Sequence, residues 1–188
     1  MEVYHKILPK NFDYTLQDGL YSEMPNNIKA VLSDKNTSKR MLSLIGWKLF
    51  LENVPYPELL SKVAFEDRGK PFIANSEIYF NLSNTNGVVV LAISDQPIGI
   101  DIEKIREPKP LIYKRVFCNE EVDFISSAED FTYLWTRKEA VVKLFGGGIS
   151  MGLKEFSVLE DEIEAFGKKV KIEPFEMKGF ICHTARFI

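Results

Sequence analysis

Two carboxylates one residue apart in a β-like run are the first groups in this chain with the means to do chemistry. In Gly99-Ile100-Asp101-Ile102-Glu103 the types alternate as in a strand, so Asp101 and Glu103 project from one face and Ile100 and Ile102 from the other. Side by side, the two acids repel unless a cation joins them. A hard divalent ion such as magnesium takes one or two carboxylates and completes its shell with water and phosphate oxygens. Such triplets also occur on solvated strand edges, so a second element has to decide.

That element is Trp135-Thr136-Arg137-Lys138-Glu139-Ala140-Val141-Val142-Lys143, inside a helical stretch whose Phe131, Leu134, Trp135, Val141, Val142 and Phe145 are apolar around much of the circumference. Lys138 has apolar neighbours at helical spacing on both sides, so its stem lies against apolar groups. Glu139 and Lys143 share a face, as an ordinary helical ion pair would. Brought up to Asp101 and Glu103, Glu139 would complete an oxygen-ligand magnesium site, and Lys143 would neutralise a phosphate on the same metal. Gly146 to Ser150 lacks the spacing of a Walker loop, which disfavours a P-loop nucleotidase.

Composition narrows the rest. With 24 Lys and Arg against 27 Asp and Glu, no polyelectrolyte field exists to drive unspecific nucleic-acid binding. The only histidines, His5 and His183, stand near opposite ends, which rules out a histidine-rich metal site. Cys118 and Cys182 form no C-x-x-C pair and suit a reducing cytoplasm. Residues 1–10 do not read as a signal peptide, and the apolar run Val88 to Ile93 is too short to cross a bilayer. No membrane or nucleic-acid partner is expected.

The elements that must position these groups follow from periodicity and punctuation. Asn26-Asn27 and Asn36-Thr37-Ser38 cap expected helices through Ser33 and Phe50. A short strand at Val63 to Phe65 leads to the turn Arg68-Gly69-Lys70-Pro71. Ile78 to Ser83, Val88 to Ser94 and Ile98 to Glu103 read as a meander. Helices are expected near Leu111 to Phe117, after Asn119, and from about Asp130 to Phe145, then strands at Glu155 to Leu159, Lys169 to Glu173 and Phe180 to Phe187. The order, helices then strands twice over, predicts an α+β fold of two halves, 1–97 and 98–188.

Four motifs occur in one order: Gly69-Lys70-Pro71, Phe80-Asn81-Leu82-Ser83-Asn84, Pro97-Ile98-Gly99-Ile100-Asp101-Ile102-Glu103, and the helix from Trp135 to Lys143. Through them the chain resembles the surfactin-synthetase-activating (Sfp-type) 4′-phosphopantetheinyl transferases. The resemblance implies two pseudo-symmetric α+β halves with coenzyme A in the groove between them and magnesium on its pyrophosphate. It implies Asp101, Glu103 and Glu139 as metal ligands, Lys70, Ser83 and Asn84 as coenzyme A phosphate contacts, Lys143 as a pyrophosphate contact, and Lys138 as a further coenzyme A-binding residue. Where the family often has histidine this chain has Asn84, which donates a hydrogen bond but carries no charge. For the 3′-phosphate the candidates are Lys29, Lys35, Lys39 and Arg40, of which Arg40 is the choice.

The implied reaction moves the phosphopantetheine arm of coenzyme A to a serine of an acyl- or peptidyl-carrier protein and releases 3′,5′-ADP. The proton acceptor stays open between Glu139, whose pKa a metal would lower, and Glu121, which resembles a second family carboxylate. The segment Lys104 to Phe117 carries Lys104, Arg106, Lys109, Lys114 and Arg115 among Ile105, Leu111, Ile112 and Tyr113, a pattern suited to docking an acidic carrier protein. A cytoplasmic monomer is expected. The rival readings are a silent module that binds coenzyme A or a carrier protein, and another magnesium-dependent enzyme acting on a nucleotide diphosphate.

Overall fold

Val88 to Ala92 are each at most 1% exposed, as befits a strand covered on both faces, and this run forms the middle of a sheet. The computed structural model describes residues 1–107, 113, 115–148 and 151–188. It divides into two compact units, 1–95 and 96–188. The first comprises β1 (Glu2–Ile7), α1 (Asp18–Glu23), α2 (Asn26–Ser33), α3 (Thr37–Asn53), a 3-10 turn (Pro57–Lys62), β2 (Val63–Phe65), β3 (Pro71–Ile73), β4 (Tyr79–Thr85) and β5 (Val88–Ser94).

In this unit the sheet order is β1-β5-β4, all antiparallel, with β2 and β3 forming a separate ribbon. Asn36 starts α3 by accepting the Lys39 N–H at 3.0 Å, and α3 then lays Leu44, Trp47 and Phe50 into the core. Trp47, Phe50 and Phe80 meet there in edge-on and tilted ring pairs.

The second unit comprises β6 (Ile98–Glu103), α4 (Asn119–Phe124), α5 (Ala128–Phe145), a 3-10 turn (Leu153–Glu155), β7 (Glu162–Ala165), β8 (Lys168–Pro174) and β9 (Ile181–Phe187). Its four-stranded sheet has the order β6-β9-β8-β7, and α5 packs along β6 and β9. Ser127 caps α5 by accepting the Asp130 N–H at 3.1 Å, and Gly146, at φ 74°, ends it in the left-handed conformation.

The α+β class is as expected, with differences in detail, among them the short strands β3 and β7, which the sequence did not mark. Strand β6 does not continue a meander with β4 and β5; it pairs with β9, from Ile98 opposite Arg186 to Glu103 opposite Ile181. Neither β1 nor α1 was expected from the sequence. β1 alternates types too weakly to stand out and is defined by its pairing with β5. The strand expected at Glu155 to Leu159 is instead a 3-10 turn and an irregular strap, whose carbonyls serve side chains of α5, as described below. The helix expected at Leu111 to Phe117 falls largely outside the described residues. No helix among the described residues is long and apolar enough to cross a membrane.

Candidate active site

The second unit gathers its acids where α5 crosses β6. Asp101, 5% exposed, points from β6 toward α5, and Lys143 Nζ stands 2.6 Å from its Oδ1. Glu103, on the same face of the strand, pairs with Arg106 at 3.5 Å. The Arg106 guanidinium lies over the Trp135 ring at 5.4 Å and the Phe131 ring at 5.9 Å, so α5 also holds the flank of the cluster. Burial first, then the neighbouring Asp101, pushes the Glu139 carboxyl up to about 7. Its buried Oε1 has no hydrogen-bond partner.

Gly99 makes this approach possible. A Cβ there would lie 2.0 Å from the Ala140 carbonyl oxygen and 2.5 Å from the Leu144 nitrogen, so helix and strand touch backbone to backbone. Farther along the same face, His183 on β9 stands opposite Asp101 and brings Nδ1 to 2.8 Å from Thr136 Oγ1. Burial, reinforced by Arg137, pulls its pKa down to about 3. In the sequence Gly99 and Arg137 stood only as motif members and Arg106 only as part of the basic docking segment, because their contacts with Ala140, Val158 and Trp135 come from distant segments.

Among the described residues, no three His, Cys, Asp or Glu side chains stand close enough to cage a metal as they lie. The chemistry of the set nevertheless fits a hard cation. Asp101 and Glu103 both act electrostatically on Glu139, and a buried carboxylate oxygen of Glu139 lacks a donor.

Lys138 and Glu121 are not in this cluster. Both side chains are 0% exposed and meet each other at 2.9 Å. Lys138 Nζ also donates to the Leu153 carbonyl at 2.7 Å and to that of Phe156, and lies over the Phe156 ring at 4.3 Å. Burial pulls its pKa down, with Glu121 opposing. Glu121 accepts the Val158 N–H at 2.7 Å and the Cys118 N–H at 3.0 Å, the latter as part of a capping box on α4. The sequence led to the expectation of Glu121 as a catalytic group and Lys138 as a coenzyme A contact; in this structure they bind each other and the neighbouring backbone instead of facing the cluster. Every charged atom of the pair is committed inside the unit, out of reach of a ligand.

In the first unit, a cavity of about 160 Å³ is lined by Lys35, Ser43, Gly46, Trp47, Gly69 and Asn84, among others. Lys35 Nζ donates to Ser43 Oγ at 2.7 Å, and burial pulls its pKa down. Asn84 and Ser83 project from opposite faces of β4; Asn84 lines the cavity and Ser83 is buried on the other side. Lys70 precedes β3 in the turn that Gly69 closes by donating to the Glu66 carbonyl at 2.8 Å. Arg40 does not reach the cavity. It donates to the carbonyls of Leu32, Ser33 and Lys35 at 3.0, 2.8 and 3.1 Å, which satisfies the C-terminal end of α2. Of the candidates for the 3′-phosphate, Lys35 is the one that lines this cavity.

Of the basic segment after β6, Lys109, Leu111, Ile112 and Lys114 lie outside the described residues. Arg106 is turned inward to Glu103 and the aromatic rings.

Acids and an ammonium meeting at one helix–strand contact in the second unit, and an amine-lined cavity in the first, define a class of protein equipped to bind charged ligands. Comparison with known proteins narrows the class. A model of the 4′-phosphopantetheinyl transferase superfamily matches residues 97–181, the part of the chain that holds the acidic cluster. The chain is 40% identical over 99 residues to the 4′-phosphopantetheinyl transferase psf-1 of Bacillus pumilus, covering 49% of this chain and 42% of that protein. It is 33% identical over 143 residues to the 4′-phosphopantetheinyl transferase gsp of Aneurinibacillus migulanus, covering 69% and 59%. With the 4′-phosphopantetheinyl transferase AcpT of Salmonella typhi it shares 31% over 145 residues, covering 70% and 67%. The chain belongs to the 4′-phosphopantetheinyl transferase superfamily. Its matches span about half the length of several of these curated relatives.

Proposed function

We propose that this chain is a cytoplasmic, monomeric, magnesium-dependent enzyme that transfers 4′-phosphopantetheine from coenzyme A to a serine of an acyl- or peptidyl-carrier protein. The observation that carries this reading is the buried Glu139 Oε1, without a hydrogen-bond partner, on the helix whose Lys143 pairs with Asp101. Asp101, Glu103 and Glu139 would hold the magnesium, which when bound supplies a Lewis acid to pyrophosphate oxygens. Lys143, part-exposed and already aimed at the cluster, gives an ammonium to the phosphate charge that grows as 3′,5′-ADP departs.

The serine oxygen attacks the β-phosphorus and the bond to the leaving phosphate breaks. With Glu121 committed to Lys138, the serine proton passes to Glu139 Oε1 or to water beside it. Lys35 and Asn84 are the groups of the first unit that would hold a phosphate of coenzyme A, with Lys70 between Gly69 and Pro71, which line the same cavity. The basic segment Lys104 to Phe117 remains the proposed docking site for the carrier protein, on its composition.

Incubation with coenzyme A, magnesium and several apo-carrier proteins should add the mass of one phosphopantetheine to at least one carrier, read by intact-mass spectrometry. Asp101→Ala should remove the product even at high magnesium. Coenzyme A cleavage with no acceptor present would favour a different diphosphate enzyme, and binding without transfer would favour a silent module.

Lys35→Ala should raise the KM for coenzyme A by about tenfold, the cost of one charge-assisted hydrogen bond. The Tm of that variant should stay near that of the parent. Arg40→Ala should do the reverse, lowering Tm and leaving the KM within about twofold, because it strips three carbonyls of a donor. A KM effect at Arg40 and none at Lys35 would restore the assignment made from the sequence.

A further inference from the structure

The residues just before Glu139 on α5 grip a different part of the unit from Glu139 itself. Arg137, fully buried, donates from Nε to the Val158 carbonyl at 2.6 Å and from Nη2 to the Glu160 carbonyl at 2.5 Å. Its Nη1 reaches Tyr133 Oη and Asp161 Oδ1, both at 2.9 Å. Lys138 holds the same strap one turn earlier, at Leu153 and Phe156, while Glu121 binds the Val158 N–H and ties the strap to α4. The Ile172 N–H of β8 then donates to the Asp161 carbonyl at 2.7 Å, so the strap is anchored to the sheet as well.

At about 100° per residue, Arg137 and Glu139 lie on nearly opposite sides of the α5 axis, about 160° apart. The face between them, with Thr136, Ala140 and Lys143, is the one that meets His183, Gly99 and Asp101. Gly99 fixes how close the helix comes to β6. Van der Waals contact at a backbone without side chains does little to stop the helix rolling about its own axis. A roll of a few tens of degrees would swing Glu139 away from Asp101, and beside the single contacts of Thr136 with His183 and Lys143 with Asp101, what resists it is the larger set of directional bonds on the far side.

We infer that Arg137, Lys138 and Glu121 form a clamp that sets the roll of α5, making Arg137 and Lys138 positioning residues for Glu139 and Lys143. The inference rests on the transferase reading and goes beyond it, since none of the three touches substrate. It also accounts for two cations being buried in adjacent positions of one helix, at a desolvation cost that packing alone would avoid.

The test uses the full chain in two variants. The double variant Glu121→Leu/Lys138→Met replaces the ion pair with apolar groups of similar volume, a change that need not lower stability. Arg137→Lys keeps the charge but loses the fork that bonds Val158, Tyr133, Asp161 and Glu160. Each should keep the KM for coenzyme A within about threefold while kcat falls about tenfold to a hundredfold, the effect of misplacing a group by around an ångström. The apparent manganese affinity, read by electron paramagnetic resonance, should weaken in parallel, and a role in folding alone would not move it in a protein that is still folded. Should the double variant fail to fold, Arg137→Lys carries the test. Wild-type kcat and manganese affinity in a folded variant would overturn the clamp, as would a loss confined to the KM for coenzyme A. If the parent chain itself transfers nothing, it is the transferase reading that fails.

Discussion

Glu139→Gln is expected to lower carrier-protein modification by about a thousandfold or more while leaving the Tm in EDTA at or above that of the parent. The two halves of that result have one cause. Glu139 sits against Asp101 and within the field of Glu103, its Oε1 has no donor, and both burial and like charge act against its ionised form. An amide of the same shape removes the repulsion and can donate toward a neighbouring carboxylate, so folding loses nothing. What disappears is the anionic oxygen proposed to hold the cation and to take the serine proton. Kinetics at saturating coenzyme A and a thermal melt in EDTA decide the matter. A variant that loses activity and stability together would mean that Glu139 is a structural group. Full activity would remove it from the reaction.

Gly99→Ala should be among the most destabilising single-methyl changes in the chain. The added carbon would stand 2.0 Å from the Ala140 carbonyl oxygen and 2.5 Å from the Leu144 nitrogen, both backbone atoms of a helix with no rotamer to change. Relief requires α5 to lift from β6, which opens the best-packed seam of the second unit and carries Lys143 and Glu139 away from Asp101. Overpacking of this kind costs about 3 kcal/mol. For a chain of this size that is about 6–12 °C in Tm. Turnover should fall at least as steeply, because the displacement acts directly on the acidic cluster. Gly19→Ala is the matched control: it lies in α1 with nothing within 4 Å of the added carbon, so Tm should hold or rise slightly. A Gly99→Ala protein with the parent's Tm and activity would show that the seam yields more than its geometry allows.

Much of the site could be read along the chain because it depends on local periodicity. The alternation in Gly99 to Glu103 placed both acids on one face of a strand, and they do face α5. The apolar pattern around Trp135 to Lys143 marked a buried helix, Ser127 and Gly146 bound it, and the triglycine after Phe145 gave its end. Strand pairing was less legible. The run Ile98 to Glu103 follows β5 after one short turn, yet its partner is β9, some eighty residues away, and no local pattern distinguishes the two choices.

What a charged side chain binds was decided by the tertiary structure alone. Lys138 and Glu121 both carry chemistry that suits a metal-and-phosphate site, and although apolar neighbours placed the Lys138 stem against the core, the sequence did not say what its ammonium would meet. In the fold, a strap that forms no strand leaves the carbonyls of Leu153, Phe156, Val158 and Glu160 without ladder partners, and buried carbonyls must find donors. Lys138 and Arg137 fill that need, as Arg40 does for the end of α2. Types and spacing along the chain thus determined which residues could serve. Which of them were left over to serve a ligand depended on where the backbone, once folded, still lacked hydrogen-bond donors, and that is a property of segments far apart in sequence.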